Sequence, residues 1–302
     1  MKVGYPCINN SIGCVGDRTF RLKSYSEAKL KTTLENNLSC LKQIIQYNIN
    51  HDILFFRITS DLVPFASHPI CKFDWPGYFS EQFSEIGKLI RRNSIRISMH
   101  PDQFIVLNSK DPEVVVRSIA ELDYHATVLD LLGLDDSAKI QLHVGGVYGD
   151  KVLSMERFKD AYSQLHPRIQ NRLVIENDDR NYTLSDCLKL GSELKIPILF
   201  DFFHHQLNSS GEKLNEALEK VSKTWRTSDG LPMLDYSSQN PNHKTGSHAL
   251  TLNAKDFKAF VSTSRPYNFD LMLEIKDKEQ SAKAAVEILN NDNRFIKIKR
   301  VE

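Results

Sequence analysis

Residues 196–205 read IPILFDFFHH. The stretch 196–200 is apolar at every position and too short for a helix, the pattern of a strand buried on both faces of a parallel sheet. It ends on Asp201, and His204 follows three residues on. The same design recurs in both directions along the chain. Upstream lie the runs 3–8, 53–59, 95–99, 140–144 and 173–175; downstream lie 233–236 and 269–275. Each is short and rich in Ile, Val, Leu or Phe, so eight strands are expected.

Helical patterns fill the gaps. Residues 27–48 set Leu30, Leu34, Leu38, Leu41 and Ile45 on one apolar stripe. Residues 112–132 do the same with Val115, Ile119, Leu122, Ala126 and Leu129. Asp111 before Pro112 reads as an N-cap followed by proline at the first helical position. Residues 154–165, 183–194, 211–223, 254–262 and 279–290 complete the series. This alternation over 302 residues matches the size of a (β/α)8 barrel. A doubly wound sheet could use the same elements, so periodicity alone leaves closure of the sheet open. No linker, repeat or low-complexity tract divides the chain, and a single domain over 1–302 is expected. The connections 62–79 and 237–250 are long, and loops after strands are where barrels keep their chemistry.

Composition narrows the function classes. With 41% hydrophobic and 25% charged residues, the chain has the makeup of a soluble globular protein rather than a disordered or fibrous one. The 39 Lys+Arg against 38 Asp+Glu give no global pull toward nucleic acid, though a basic face on a mixed surface is compatible with them. No apolar run approaches the roughly 20 residues of a membrane helix, and the start MKVGYPCINN is not a secretory signal. An intracellular, cytoplasmic location is expected. Cys7, Cys14, Cys40, Cys71 and Cys187 are odd in number and scattered, with no CxxC, which predicts reduced thiols.

The polar residues are informative by position. The third strand ends on His100, the fourth on His143, the fifth on Glu176, and the sixth on Asp201 with His204 beyond it. The seventh carries Asp235 and the eighth Glu274. One such residue at a strand end is ordinarily a cap or a surface group. Six consecutive strands presenting them at one rim point to a metal site, because a buried carboxylate is costly unless paired or bound to metal. Imidazole and carboxylate ligands without cysteine suit Zn, Mn or Fe and argue against a structural zinc site. A central carboxylate such as Glu176 could bridge two ions, the arrangement that splits phosphodiesters by in-line displacement. His51, His125 and His166 lack this placement and read as solvent or helix-surface residues; His205 is open between support and no role.

Taken together, these motifs resemble an ultraviolet damage endonuclease. The resemblance runs from GYPCIN (4–9) through FRITSDLVPFASHP (56–69), MHPDQF (99–104), LHVGGVYGDK (142–151), IENDD (175–179), FDFFHH (200–205) and DGLPMLDYSSQ (229–239) to LEIKDKE (273–279). It implies a single-domain TIM barrel with a metal site at the C-terminal rim, related in architecture to endonuclease IV-type enzymes. It also implies two or three divalent ions, Mn2+ first and Zn2+ as the alternative, and a nick immediately 5′ of a photoproduct in double-stranded DNA. A monomer is expected, since an enzyme working on duplex DNA has no evident need to be a dimer. The ligands the resemblance implies are His100, His143, Glu176, Asp201, His204, Asp235, His248 and Glu274, with Glu176 as bridge. His100, His143, Glu176, Asp201 and Glu274 would carry the catalysis.

Relatives often have PK(V/I)H after the DG turn, whereas Pro232, Met233, Leu234 and Asp235 stand here. A thioether cannot replace a modified lysine toward hard cations, so a third ion should bind more weakly. This reading needs Met233 and Asp235 to point into the barrel and Leu234 outward. For lesion recognition the resemblance implies Tyr5 and Asn9 against the flipped photoproduct, Gln103 and Phe104 as a wedge in the gap left in the duplex, and His68 as a supporting or phosphate contact. Arg18, Arg21, Lys151, Arg180 and Lys244 are candidate phosphate contacts, and Lys297, Lys299 and Arg300 a solvated basic tail. A sugar isomerase on a similar barrel is the alternative, since it too gathers His, Asp and Glu around divalent ions. It needs no stacking wedge. A non-catalytic DNA-binding module would not call for ligands from six strands.

Overall fold

The computed structural model describes residues 1–298. Eight strands, β1 (Val3–Pro6), β2 (Phe55–Ile58), β3 (Arg96–Met99), β4 (Lys139–His143), β5 (Leu173–Glu176), β6 (Ile198–Asp201), β7 (Met233–Tyr236) and β8 (Asp270–Leu273), close into one barrel in sequence order. Every neighbouring pair is parallel, and β1 completes the ring by pairing with β8 at Val3↔Leu271. The sheet is therefore closed and not doubly wound, the point that periodicity had left open.

The strands are joined by α1 (Glu27–Asn50), α2 (Trp75–Tyr78), α3 (Ser80–Arg92), α4 (Pro112–Leu131), α5 (Lys151–Ser163), α6 (Pro167–Gln170), α7 (Leu184–Leu194), α8 (Phe202–Leu207), α9 (Leu214–Ser222), α10 (Ala254–Thr263) and α11 (Glu279–Leu289). Asp111 caps α4 by accepting from the Glu113 amide, with Pro112 at the first position as its sequence predicts. Helix α3 was not among the expected helices, although Phe83, Ile86 and Ile90 form its buried stripe. Its signal lay directly after the proline-rich connection and was masked by it.

Layering inside the barrel positions the site. Phe55, Val174, Leu199, Met233 and Met272 form an apolar plug separate from the main core outside the strands. Alternate residues of a strand share a face, so two residues further along each strand the interior holds Arg57, Glu176, Asp201, Asp235 and Glu274. Five strands thus lay charge directly on an apolar floor. Met233 and Asp235 point inward, as the reading of β7 required, while Leu234 packs with the outer core. Met233 belongs to the floor, one layer beneath Asp235.

Two expectations are corrected. Cys14 and Cys40 form a disulfide, because the loop after β1 folds back over α1; Cys7, Cys71 and Cys187 are free thiols. That juxtaposition across 26 residues is a tertiary contact, invisible in the spacing. His125 is fully buried in α4, not on a helix surface, with Nδ1 bonded to the Glu121 carbonyl. His51 stacks on Tyr47 at the end of α1 and His166 caps α6. No helix among the described residues is long and apolar enough to cross a membrane.

Candidate metal centre

Glu176, at the end of β5, is 1% exposed and lies at the centre of the rim. Its Oε1 is 2.9 Å from Nε2 of His100 and 3.0 Å from Nε2 of His143, the residues that end β3 and β4. Three sets of candidate ligand atoms each fall within 4.8 Å of one another: His100/His143/Glu176, Glu176/Asp201/His204 and Asp201/Asp235/Glu274. Glu176 and Asp201 are each shared between two sets, so the sites form a chain of adjacent positions. Nδ1 of His100 is held by the Pro101 carbonyl at 2.7 Å and Nδ1 of His204 by the Asn177 carbonyl at 3.1 Å. Anchoring one ring nitrogen fixes the imidazole and leaves the other to ligate.

Local structure explains how His204 and His248 arrive. Asp201 ends β6 and caps α8, accepting from the His204 amide at 2.7 Å, so one short helical turn returns His204 to the rim. His248 comes from the loop 237–250, which doubles back through an antiparallel bridge between Gln239 and His248. Its Nδ1 bonds the Glu274 carbonyl at 2.9 Å, and its ring centroid lies 6.2 Å from that of His204, within reach of one ion. His248 stands beside the three sets without belonging to them. His205, open in the sequence, turns away to bond the Glu212 carbonyl at 2.9 Å.

Two groups that sequence reasoning missed complete the layer. Arg57 of β2, 3% exposed, donates to both Asp235 oxygens at 2.8 and 2.7 Å, to Glu274 Oε1, and to Gln141 Oε1 at 2.7 Å. Gln141 of β4 donates to Glu176 Oε2 at 2.5 Å and to Asp235 Oδ2 at 2.6 Å. Both Asp235 oxygens are therefore already bonded inside the protein, unlike the oxygens that an open ligand presents. The signal for Arg57 and Gln141 was parity: each sits two residues from an interior position, Phe55 and His143 respectively.

Charge follows from this packing. Burial alone would raise the Glu176 carboxyl, but His143 and His100 bring it down to about 2, so it stays ionised, the state in which a carboxylate can bind a cation. Burial would likewise raise Glu274, and Arg57 with His248 holds it low. Burial pushes Asp201 up to about 7 despite His204 beside it, and pushes Asp235 well above the usual carboxylate range against the pull of Arg57. The donor set fits hard-to-borderline divalent cations: oxygens and imidazole nitrogens converge on shared points, with no thiolate among them.

Outside the ring, Gln103 and Phe104 project from the loop after β3, and Phe104 is 74% exposed. They form a ridge between two cavities. One, about 500 Å3, opens over His100, Arg57 and Glu274; the other, about 620 Å3, is lined by His68, Arg117 and Tyr148. His68 is exposed and accepts at Nδ1 from the Ile70 amide. Tyr5 lies in β1 and Asn9 just beyond its end, and both are buried. Tyr5 is fully buried, donating to Asn48 Oδ1 at 2.7 Å and accepting from Asn9 Nδ2 at 2.7 Å, so neither offers an open face to a lesion in this structure. Among the basic candidates Lys151 pairs with Asp186 at 2.8 Å and Arg180 with Asp179 at 3.3 Å, while Arg18, Arg21, Lys244 and Lys297 are exposed. Lys299 and Arg300 lie outside the described residues.

A closed parallel barrel with His and carboxylate donors gathered at one rim defines a TIM-barrel enzyme. The family profile described as UV-endonuclease UvdE matches residues 1–302. A UV DNA damage endonuclease of Clostridium perfringens (strain 13 / Type A) is 37% identical over 301 residues, 99% of this chain and 73% of that protein. The crystal structure of SacUVDE superposes with a TM-score of 0.93 at 45% identity, over 97% of this chain and 99% of that one. Endonuclease IV from Thermus thermophilus shares the fold, with a TM-score of 0.58 at 13% identity over 96% of this chain and 98% of its own. The chain belongs to the UV-endonuclease UvdE family, and it is an endonuclease.

Proposed function

We propose that this protein is a DNA repair enzyme that extrudes ultraviolet photoproducts from duplex DNA and hydrolyses the phosphodiester immediately 5′ of them. The observation that carries the reading is the bridge at Glu176, with His100 and His143 on one side and Asp201 and His204 on the other, in a chain of the UV-endonuclease family. Divalent ions held there, Mn2+ first and Zn2+ as the alternative, would supply a nucleophile at neutral pH and offset the charge that builds on the phosphate. His100, His143, Glu176, Asp201, His204 and Glu274 would hold two ions, with His248 completing the set; a third, at Asp235, would compete with the Arg57 pair.

The chain's own residues do the rest. Gln141 and Arg57 fix the buried carboxylates so that little reorganisation accompanies reaction. A photodimer stacks poorly, so its extrusion costs less than that of normal bases. The ring of Phe104 can stack in the space that is vacated, and Gln103 can hydrogen-bond the partner bases left behind.

The test is nicking of supercoiled plasmid, irradiated or untreated, with and without a chelator. Nicking of irradiated plasmid alone, lost with the chelator and ending 5′ of the lesion, is expected. Equal nicking of both plasmids, or none, would overturn the reading. The sugar-isomerase alternative leaves a 74% exposed Phe104 beside the site without a use.

A further inference from the structure

Lys278 stands at the edge of the cavity over the metal centre, whose lining it shares with Cys7, Arg57, His100, Phe104 and Glu274. It lies four residues beyond Glu274, where the chain leaves β8 to start α11. Its backbone is held at φ 53° and ψ −112°, a conformation that side-chain-bearing residues avoid. Cys7, on the lining of the same cavity, is also left-handed, at φ 72°. Strain of this kind persists only where the surroundings impose it, and it gathers at ligand sites.

The charge at this position has no bonded partner among the described residues, and Glu274 attracts it only without contact while Arg57 repels it. Lys278 is half-buried, yet among the described residues no carboxylate pairs with its ammonium and no acceptor bonds it. Lys139, Lys151 and Lys159 each have a carboxylate within 2.8 Å. A partly desolvated cation without a bonded anion is costly, and the cost is recovered if the ligand brings that anion. Burial pushes this ammonium's pKa down, in keeping with that account. The cavity it lines opens to solvent above ligands meant for a phosphodiester. Lys276, exposed on the same lining, adds a second positive charge.

We propose that Lys278 grips a backbone phosphate of the DNA strand lying over the metal centre. The proposal rests on the reading of the chain as a DNA endonuclease. A phosphate contact positions the strand and carries no information about the base. Lys278 is therefore a binding residue for damaged and undamaged duplex alike.

The experiment measures affinity for irradiated and untreated oligonucleotide duplexes over a salt series, with wild type, Lys278→Met and Lys278→Arg. Lys278→Met should weaken both duplexes several-fold by the same factor and flatten the slope of log affinity against log salt by about 0.9. Lys278→Arg should keep the slope, and bound metal and thermal midpoint should match wild type in both. An unchanged slope, or a loss confined to irradiated DNA, would overturn the proposal. Should Lys278→Met fail to fold, amine modification of the wild type followed by mass spectrometry decides: DNA should protect Lys278, and equal labelling with and without DNA would refute the contact. Nicking by the wild type separates this from the parent reading. Wild-type protein that binds with the Lys278-dependent slope but never nicks irradiated DNA overturns the repair function and leaves the contact standing.

Discussion

Gln141 donates from Nε2 to Oε2 of Glu176 at 2.5 Å. That bond takes one oxygen of the carboxylate and leaves the other, Oε1, to face the two histidines. Gln141 also bonds Arg57 and Asp235, so it links Glu176 to the buried ion pair beside it in the same layer. Gln141→Leu is expected to keep the fold and to weaken metal affinity about 10- to 100-fold, as loss of an outer-sphere partner does. Calorimetric titration of metal into the apoprotein reads it, and affinity equal to wild type would show that Gln141 does not orient Glu176.

Glu176→Gln preserves size and hydrogen bonding but removes the charge that His100 and His143 share. It should abolish nicking and lower bound metal as measured by elemental analysis after dialysis. Wild-type stoichiometry together with wild-type activity in this variant would refute the bridging role.

Phe104 is largely exposed and lies outside the hydrophobic core of the described residues, so its removal should spare both stability and metal binding. Stacking of a base on an aromatic ring is worth roughly 1–3 kcal/mol. Phe104→Ala should therefore weaken binding of irradiated duplex by about 5- to 150-fold, and adding Gln103→Ala should weaken it further. Fluorescence anisotropy is the readout, and a double variant that binds and cuts like wild type would remove the wedge from the mechanism.

His125 gives a pH signature from within α4, set first by burial, with the charge of His100 adding to the downward push. Burial lowers its imidazole to about 4. The unfolded chain takes up the proton near the ordinary value of about 6.5, while the folded chain refuses it until about 4. Stability is thus fully present above about pH 6.5 and declines as pH falls toward 4, by up to about 3 kcal/mol. His125→Gln cannot take the proton, so its stability deficit relative to wild type should shrink between pH 7 and 4.5. Urea unfolding at several pH values measures this, and a constant deficit would show that His125 does not titrate as a buried group.

The sequence by itself determined the strands, most of the helices and the sites of His100, His143, Glu176, Asp201 and Glu274. These are properties of local pattern: a short apolar run ending in a polar residue reads the same wherever it occurs. The tertiary structure decided the closure of the sheet, since the β1–β8 pairing joins the two ends of the chain and leaves no trace in periodicity. It also decided which polar residues meet. Arg57 reaches Asp235 across 178 positions and Gln141 reaches Glu176 across 35, contacts set by barrel register. The burial of Tyr5 against Asn48, the Cys14–Cys40 bond and the enclosure of His125 have the same origin. Each depends on what a neighbouring element covers, and coverage is a property of packing that one strand or helix cannot specify alone.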